Sequence, residues 1–304
     1  MKQIIEYIKR PVYFIDALNR ILAPILSDKL YLSILYRCRM GKWIEWENPQ
    51  TFTEKIQWLK LYNRRSEYTT MVDKYEVKKY VADRVGEQCI IPTIGVWDSV
   101  DEIDFDALPD KFVLKTTHGG GGGGVVICRD KRTFDIEMAK NKLAQSLKAD
   151  IYRYYREWPY KKVPRRIIAE KLIQVPDKKD LRDYKFFCFN GKPLYLKVDY
   201  DRFTDHHANY YDMKWNLLPF GEAALPPVES HIEYCPPNFD KMIEIAVALS
   251  KGQPFLRVDL YNVEGKIYFG EMTFFPASGL GAFTDEEWDT RIGGYLNINM
   301  DRPN

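Results

Sequence analysis

Alternating apolar and polar positions predict β-hairpins in the second half of the chain. Residues 183–198 and residues 255–273 each consist of two apolar runs, joined at Asn190-Gly191 and at Glu264-Gly265. Such dipeptides are typical of two-residue hairpin turns, because glycine readily adopts a left-handed backbone conformation. Residues 112–127 form a third candidate hairpin, in which two apolar runs flank a stretch of glycines.

Apolar residues at helical spacing predict helices between these strands. In chain order, the predicted helices are residues 1–40 with breaks near Pro11 and Pro24, residues 52–64 capped by Thr51 or Thr53, residues 73–86, residues 133–155 and residues 238–252. Short apolar runs at 89–97 and 166–173 predict further strands. Antiparallel hairpins separated by helices indicate an α+β fold.

The N-terminal helices are amphipathic and leave two interpretations open. Their apolar positions are Ile4, Ile5, Ile8, Phe14, Ile15, Leu18, Ile21 and Leu22, and their basic residues are Lys2, Lys9, Arg10 and Arg20. Basic residues on the polar face permit peripheral contact with an anionic membrane. The alternative is a helix whose apolar face packs on its own domain.

Composition and charge narrow the class of protein. The chain has 304 residues, 45% hydrophobic and 29% charged, with a formal net charge of +2, which favours neither nucleic acid nor membrane as an overall partner. Five scattered cysteines without a CxxC pair fit a reducing compartment. No apolar run approaches the ~20 residues of a membrane span, and the N-terminus lacks the pattern of a secretory signal. We therefore expect a soluble, cytoplasmic protein.

The glycine stretch predicts a phosphate-binding loop. Lys115 and His118 precede six consecutive glycines, Gly119 to Gly124, and a β-branched run follows. Glycine backbone can turn its N–H groups toward an anion. A Walker A loop or a dinucleotide fingerprint would need a helix after the glycines, so a loop between antiparallel strands remains, with a flexible linker as the alternative. So many glycines lose much backbone entropy on closing, and we expect weak order without nucleotide.

The closing hairpin predicts a cation site. Counting back from its turn places Asp259 and Glu271 near one another on paired strands. Two carboxylates in an apolar hairpin need a cation, and Mg²⁺ held by carboxylates and nucleotide phosphates meets that need. Arg257 shares the strand face of Asp259, where it could hold a phosphoryl oxygen. A purely structural bridge between arginine and carboxylate is the alternative.

Several single residues add weaker signals. Glu170 ends an apolar strand, where it is either a solvated charge or part of a nucleotide cleft, and Asp183 and Lys185 offer a ribose acceptor and a phosphate donor. His206-His207 is either a metal-binding pair or a pair in ordinary polar contacts. Three further candidates follow. Lys74 lies in the first turn of its predicted helix, which suits anion binding, and Arg202 could bind a substrate carboxylate. The backbone N–H groups of Ser278-Gly279 could face a phosphate group, and the alternative there is a plain turn.

Five phrases of the sequence resemble the ATP-grasp superfamily, in its branch named for teichuronopeptide biosynthesis (TupA-like). They are FTEKIQWLKLY (52–62), DKYEVKKYV (73–81), FVLKTTHGGG (112–121), DYKFFCFNGKP (183–193) and RVDLYNVEGKIYFGEMTFFPASG (257–279). The resemblance implies a helical extension (1–70) and two α+β subdomains (71–165 and 166–304) that grip ATP between them.

The resemblance also implies site roles. ATP would be bound by Lys74, Lys115, His118, Gly119, Gly120, Gly121, Gly122 and Gly123, by Glu170, Lys171 and Leu172 at the adenine hinge, and by Asp183 and Lys185. Mg²⁺ would be bound by Asp259, Glu271 and Thr273, where the superfamily usually has asparagine at the last position. The predicted catalytic residues are Lys115, Arg257 and Arg202.

The implied activity is ATP-dependent ligation of a carboxylate to an amine through an acyl phosphate, in surface polysaccharide biosynthesis. The expected substrates are small-molecule or glycan carboxylates and amines, and peripheral contact with membrane-bound polysaccharide machinery stays open. Three alternatives remain: a kinase on the same fold, a non-enzymatic interaction protein, and a glycosyltransferase using Asp199-Tyr200-Asp201 as a metal motif.

Overall fold

The fold is that of a computed structural model, which describes residues 11–120, 123–175, 181–201 and 205–298, with side chains from residue 14 onward. Its helices are α1 (Pro11–Leu22), α2 (Asp28–Met40), α3 (Phe52–Tyr62), α4 (Glu67–Val72), α5 (Val77–Val85), α6 (Ile136–Leu147), α7 (Ile151–Tyr155), α8 (Phe239–Ser250) and α9 (Glu286–Gly293). Its strands are β1 (Thr93–Trp97), β2 (Phe112–Thr116), β3 (Val125–Cys128), β4 (Ile167–Lys171), β5 (Asp183–Phe189), β6 (Lys192–Tyr200), β7 (His207–Asp212), β8 (Phe255–Val263) and β9 (Lys266–Thr273).

A four-stranded antiparallel sheet, in the order β1-β4-β2-β3, contains the glycine hairpin. β2 and β3 pair up to Lys115 and Val125, which confirms the predicted arrangement of strand, glycine loop and strand. β4 lies between β1 and β2, so residues 167–171 belong to this sheet although the predicted second subdomain starts at 166. The division of the chain into subdomains stays a prediction.

A five-stranded antiparallel sheet, in the order β7-β6-β5-β8-β9, contains both of the other predicted hairpins. Asn190 and Gly191 have φ of 51° and 77°, and Glu264 and Gly265 have φ of 51° and 88°. Positive φ at both central residues is the signature of a type I′ turn, whose twist matches that of paired strands. The strand β7 was not predicted, because its tyrosines and histidine do not alternate with polar residues in a simple way.

A β-bulge brings Asp259 opposite Glu271. Simple counting from the turn would pair Asp259 with Gly270, but the register shifts between Asp259 and Leu260. A Cβ atom at Gly270 would lie 3.0 Å from the carbonyl oxygen of Asp259, which is tighter than ordinary contact. Glycine therefore lets the strands stay close at the bulge, and the bulge aligns the two carboxylates.

Two predicted helices have different bounds in the structure. The helix predicted from Asp73 begins at Val77, because the Asp73 carboxylate accepts hydrogen bonds from the N–H groups of Tyr75 (2.8 Å) and Glu76 (3.3 Å) and stabilises a turn instead. Lys74 therefore lies in this turn rather than in the helix. The predicted helix 133–155 is divided into α6 and α7, with Asp150 as the N-cap of the second.

The apolar core follows the two sheets. The larger cluster packs the five-stranded sheet against α3, α5 and α8, and a smaller one packs the four-stranded sheet against α6. A third cluster joins α2 to the segment around Ala23. Within the residues described, no helix is long and apolar enough to cross a membrane.

Helix α3 begins with a capping box, and its N-cap is Thr51, one of the two predicted capping residues. Thr51 accepts from the N–H of Glu54 at 3.3 Å, and Glu54 accepts from the N–H of Thr51 at 3.1 Å. The same buried carboxylate also accepts from the N–H groups of Glu45 (3.2 Å) and Gln50 (3.1 Å). Glu54 therefore closes the turn before the helix as well as the helix itself.

We expect Glu54→Ala to lower the free energy of unfolding more than Thr51→Ala does. Loss of the threonine cap should cost about 1 kcal/mol. Loss of the carboxylate leaves three N–H groups without their acceptor and should cost about 3 kcal/mol. Urea unfolding followed by circular dichroism measures both, with Thr51→Ser as the control that keeps the hydroxyl. Equal losses from the two alanine variants would contradict this account.

Candidate functional site

Lys74 connects the glycine hairpin to the five-stranded sheet. Its backbone N–H donates to the carbonyl of Thr117 at 3.0 Å, and its ammonium donates to the carbonyl of Gly119. Its Nζ lies 3.9 Å from Oε2 of Glu271. Burial lowers the pKa of Lys74, against the opposing effect of the Glu271 charge. The structure thus brings together the predicted phosphate loop and one predicted metal ligand, with a single lysine between them.

Glu170 lies between two lysines inside the four-stranded sheet. Its Oε1 is 2.6 Å from Nζ of Lys78 and its Oε2 is 2.5 Å from Nζ of Lys115. Only 4% of Glu170 is exposed, because β4 is a central strand, so the alternative of a solvated charge at the end of a strand is wrong. Burial opposes ionisation, but the charges of Lys115 and Lys78 outweigh it and lower the pKa of Glu170.

Lys78 was not identified as a site residue in the sequence analysis. Its ammonium also donates to the carbonyl of Ile91 at 2.5 Å. The available signal was its position four residues after Lys74, which turns both side chains to the same side when the intervening chain is helical. Lys79, one residue further, points away and pairs with Asp83 at the surface.

The ends of the glycine stretch are needed for packing. The hydroxyls of Thr116 and Ser146 are 2.8 Å apart beneath the hairpin. A Cβ atom at Gly119 would lie 2.5 Å from the Thr116 hydroxyl oxygen, and one at Gly124 would lie 2.1 Å from that of Ser146. These two glycines therefore allow β2 and β3 to close against helix α6, whatever the loop binds.

Other predicted residues of this loop are only partly defined. Gly121 and Gly122 lie outside the described residues, so the expected weak order of the loop stays a prediction. Gly120 and Gly123 are described. A Cβ atom at Gly120 would lie 3.5 Å from the Ile151 side chain and one at Gly123 would meet nothing within 4 Å, so local packing requires glycine at neither position. His118 is buried, and burial together with the charges of Arg165 and Lys74 lowers its pKa.

Arg257 holds the predicted metal ligands together. Its guanidinium donates to both carboxylate oxygens of Asp259 at 2.7 Å, to Glu271 at 3.0 Å and to the Thr273 hydroxyl at 3.0 Å. The bridge that the sequence analysis kept as an alternative is therefore present. Burial raises the pKa of Asp259 to about 7, whereas the charges of Lys74 and Arg257 overcome burial and lower the pKa of Glu271 to about 2. Glu271 is therefore ionised at neutral pH.

The donor set fits Mg²⁺. Asp259, Glu271 and Thr273 offer only oxygen atoms, which are the ligands that Mg²⁺ prefers. Each carboxylate oxygen held by Arg257 keeps a further lone pair, and the Glu271 side chain is 40% exposed. Within the described ranges, no three His, Cys, Asp or Glu side chains are grouped closely enough to bind a metal ion alone. Phosphate oxygens would have to complete the coordination, and the site stays a prediction.

Lys185 is enclosed by carboxylates on neighbouring strands. Its ammonium donates to Asp183, lies 2.6 Å from Asp199 and lies 3.9 Å from Asp259. Burial alone would lower the pKa of Lys185, but these charges raise it. The roles of Asp183 at ribose and of Lys185 at phosphate stay predictions. Asp199 was missed as a member of this network, although it lies directly opposite Asp183 in the register.

The histidine pair makes ordinary polar contacts in the structure. His206 lies 3.0 Å from Asp199, and His207 lies 2.9 Å from Asp205. The two rings therefore face different carboxylates, and the interpretation as a metal-binding pair has no support among the described residues.

A buried cluster behind Arg257 was also missed. The Lys60 ammonium donates to the carbonyls of Tyr155 (2.9 Å) and Ser278 (2.8 Å), and to the Ser278 hydroxyl (3.0 Å). That hydroxyl donates to Glu157 at 2.7 Å. Lys60 is 0% exposed, and burial lowers its pKa to about 8. In the sequence Lys60 resembles any surface lysine of an amphipathic helix, so only tertiary structure identifies it.

The turn after β9 is left-handed over three residues. Ala277, Ser278 and Gly279 have φ of 46°, 56° and 62°. Such a conformation is unfavourable at residues other than glycine and persists only when the surroundings enforce it. Here Gln57 donates to the carbonyls of Ser278 (2.9 Å) and Gly279 (2.8 Å), beside the contacts of Lys60. A binding role for this backbone stays a prediction, and so does its alternative, a plain turn.

For Arg202, Lys171 and Leu172, the structure gives little information about the predicted roles. Arg202 lies outside the described residues. Lys171 is exposed at the end of β4, and its N–H donates to the carbonyl of Pro92 at 3.0 Å. Leu172 follows it, partly buried. The assignment of Glu170, Lys171 and Leu172 to an adenine hinge stays a prediction.

We expect Lys60→Met to lower the free energy of unfolding by about 3–5 kcal/mol near neutral pH, because it leaves Glu157 buried without its cation. Burial raises the pKa of Glu157 above its unfolded value, so the folded variant binds a proton more readily than the unfolded chain does. The deficit should therefore shrink as the pH falls from about 8 to about 5.

Urea unfolding at both pH values measures this deficit. Lys60→Met/Glu157→Gln is the matched control, since it removes both charges and should recover most of the loss. A deficit that does not change with pH would contradict a charged Glu157.

A search of curated proteins found no match. Among solved structures, the D-alanine–D-alanine ligase of Helicobacter pylori is 13% identical, with a TM-score of 0.43 over 81% of this chain and 69% of that one. The D-alanine–D-alanine ligase of Bacillus anthracis in complex with ATP is 16% identical, with a TM-score of 0.39 over 67% and 54%. The ATP-grasp ligase PsnB, solved with a minimal precursor, Mg and ADP, is 10% identical, with a TM-score of 0.38 over 80% and 60%.

The chain thus spans about half to about two thirds of the length of these proteins. A family model described as TupA-like ATPgrasp matches residues 54–297, which include all the site residues described above. The chain belongs to the TupA-like ATP-grasp family and has the α+β fold of that superfamily.

Proposed function

We propose that the chain is an ATP-dependent ligase that joins a carboxylate to an amine through an acyl phosphate. The observation that carries this proposal is the position of Lys74, which contacts the base of the glycine hairpin and lies 3.9 Å from Glu271. ATP whose outer phosphates lie under the hairpin would thereby come within reach of the Asp259/Glu271 pair. Membership of the ATP-grasp family supports the same arrangement.

In this proposal each part of the site has a role toward ATP. Lys74 and Lys115 bind phosphate oxygens, together with the backbone N–H groups of the glycine loop. The hinge after β4 contacts adenine, and Asp183 with Lys185 contacts ribose and phosphate. Asp259 and Glu271, with Thr273, hold Mg²⁺, which neutralises charge on the phosphate oxygens when it is bound.

The reaction has two steps. A carboxylate oxygen of the substrate attacks the γ-phosphorus, and the bond to ADP breaks. The amine then attacks the acyl carbon, phosphate leaves, and the nitrogen loses a proton. Phosphoryl transfer of this kind depends on positioning and on cations that stabilise spreading negative charge, so it needs no protein nucleophile. Arg257 and Lys115 supply that charge, and Arg202 is proposed to bind the substrate carboxylate.

The left-handed turn is proposed as the wall of the acceptor pocket. Ser278 lies in the segment directly after Thr273, and the side chains of Lys60 and Gln57 donate hydrogen bonds to its carbonyl oxygen. A turn held this firmly keeps its backbone in a fixed position when a substrate binds.

The substrate class is inferred from the branch of the family. We propose a uronate or an amino-acid carboxylate of a surface polysaccharide precursor, joined to an amine in the cytoplasm. A glycosyltransferase would need Asp199 and Asp201 to share a metal ion. Asp199 instead pairs with Lys185, whereas Asp201 has φ of 53° and contacts Arg182 at 3.4 Å.

We expect Lys115→Met to weaken ATP binding at least about tenfold, since a phosphate-binding cation is lost. The same change also leaves Glu170 with Lys78 alone, so it should destabilise the fold. The double variant Lys115→Met/Glu170→Gln lacks the buried carboxylate charge, so it should be more stable than Lys115→Met. Its affinity for ATP should stay below that of Glu170→Gln alone, which keeps the Lys115 cation. Isothermal titration calorimetry and thermal unfolding separate the two effects.

Lys79→Met is the matched control, because Lys79 is an exposed lysine of α5 that pairs with Asp83. It should bind ATP as the unchanged chain does. A folded Lys115→Met variant with unchanged affinity for ATP would rule out the proposed phosphate site.

The reaction itself is tested with ATP, Mg²⁺ and a library of sugar acids and amines. We expect mass spectrometry to find an amide, with one ADP and one inorganic phosphate formed per amide. When the carboxylate carries ¹⁸O, one labelled oxygen should appear in the released phosphate, because the acyl carbon–oxygen bond breaks in the second step.

Glu271→Gln should abolish this Mg²⁺-dependent turnover, and Glu264→Gln, in the exposed turn of the same hairpin, should retain it. A stable phosphate ester without free phosphate would make the protein a kinase instead. Formation of an amide without label in the phosphate would exclude the acyl phosphate.

A further inference from the structure

Helix α1 turns its apolar face toward solvent. Phe14, Leu18 and Ile21 are 61%, 43% and 70% exposed, and Ile25, just after the helix, is 78% exposed. Their spacing of four, three and four residues places them in one row along the helix. Ile15, beside this row, is 46% exposed. This is a continuous apolar stripe rather than scattered exposed residues.

The polar face of the same helix is the buried one. Asn19 is 2% exposed, and its amide donates to the carbonyl of Tyr31 at 3.2 Å. Asp16 pairs with Arg39 at 2.9 Å, and Ala23 is buried. A surface helix normally packs its apolar stripe inward. The alternative in which the apolar face of α1 packs on its own domain is therefore wrong for the described residues.

Positive charge is concentrated in the same part of the chain. Residues 1–43 contain eight Lys and Arg against three Asp and Glu, a net charge of +5, whereas the whole chain has +2. The other residues together therefore carry −3. The contact of Arg39 with Asp16 places the last turn of α2 beside α1, and the exposed Arg37, Lys42 and Trp43 lie at or just after that turn.

We propose that α1 lies in the surface layer of an anionic lipid bilayer. Phe14, Leu18 and Ile21 insert between lipid headgroups, and the exposed Arg37 and Lys42 at the end of α2 face the lipid phosphates. A large apolar stripe flanked by basic residues is the pattern of a helix that binds at the membrane interface. Tryptophan is favoured at the same depth, which fits the exposed Trp43.

Charge argues against a second copy of the chain as the partner. A symmetric dimer formed by this stripe would bring the two positively charged segments together, and like charges at an interface disfavour binding. An anionic bilayer removes that repulsion and turns the same charges into attraction. The membrane proposal depends on α1 and the end of α2, and it is independent of the ligase proposal.

Vesicle flotation tests this with the whole 304-residue chain. We expect the protein to bind vesicles of phosphatidylcholine with about one third phosphatidylglycerol, and to bind pure phosphatidylcholine less well. Binding should weaken at about 1 M salt, where the Debye length falls to about 3 Å. The variant Phe14→Gln/Leu18→Gln/Ile21→Gln should bind at least about tenfold more weakly, since binding scales with inserted apolar area. Glutamine keeps a high helix propensity, so the helix itself should survive.

The matched control is Ile232→Gln/Tyr234→Gln, which removes two apolar side chains that are 70% and 90% exposed elsewhere on the surface. It should bind vesicles as the unchanged chain does. Equal binding by the triple variant and the unchanged chain would overturn the proposal, as would absence of binding to anionic vesicles.

Two further measurements without lipid decide between the membrane and other partners. The triple variant should keep the melting temperature of the unchanged chain, and a fall would show that the chain's own residues cover the stripe. Light scattering should find the same mass for both proteins. A dimer that dissociates in the triple variant would assign the stripe to a second copy and overturn the proposal.

Discussion

Buried charges have to be paired, and this requirement organises the site on both sheets. Glu170 can lie inside the four-stranded sheet because Lys78 and Lys115 neutralise it. Lys185 lies among Asp183, Asp199 and Asp259, and Arg257 holds Asp259 and Glu271. Removal of one partner from such a pair leaves an uncompensated charge and is strongly destabilising. The residues proposed to bind nucleotide and metal therefore also stabilise the fold, so a loss of activity in their variants has to be separated from a loss of structure.

Two buried or partly buried lysines hold the elements of the site in place. Lys74 contacts the glycine hairpin and faces Glu271, while Lys60 joins α3 to the turn after β9. The left-handed turn at 277–279 is held by these contacts and by Gln57. Backbone strain of this kind is found at binding sites, where a firmly held segment improves positioning. The acceptor pocket is proposed at this turn for that reason.

The sequence predicts local features well and tertiary contacts poorly. Turn dipeptides and alternation located both long hairpins, and Thr51 was among the predicted caps. The pairing of Asp259 with Glu271 was expected, but the bulge at Gly270 that produces it could not be foreseen, because it depends on how closely two strands approach. Lys60 and Lys78 look like surface lysines until distant segments cover them. The sequence also did not predict which face of α1 is buried, because periodicity shows that a helix has two faces and does not show which of them packs inward.

Helix α3 forms hydrogen bonds with residues that lie far along the chain, and this affects how the chain folds during synthesis. The N–H of Thr53 at the start of α3 donates to Asp289, 236 residues later, and Lys60 binds the carbonyl of Ser278, 218 residues later. The ribosome makes α3 more than 200 residues before it makes these partners. Contacts between such distant residues form late and slowly, and a chain that waits for them exposes surface that is buried in the final fold. The start of the chain up to α3 therefore stays exposed until segments far along the chain have been made.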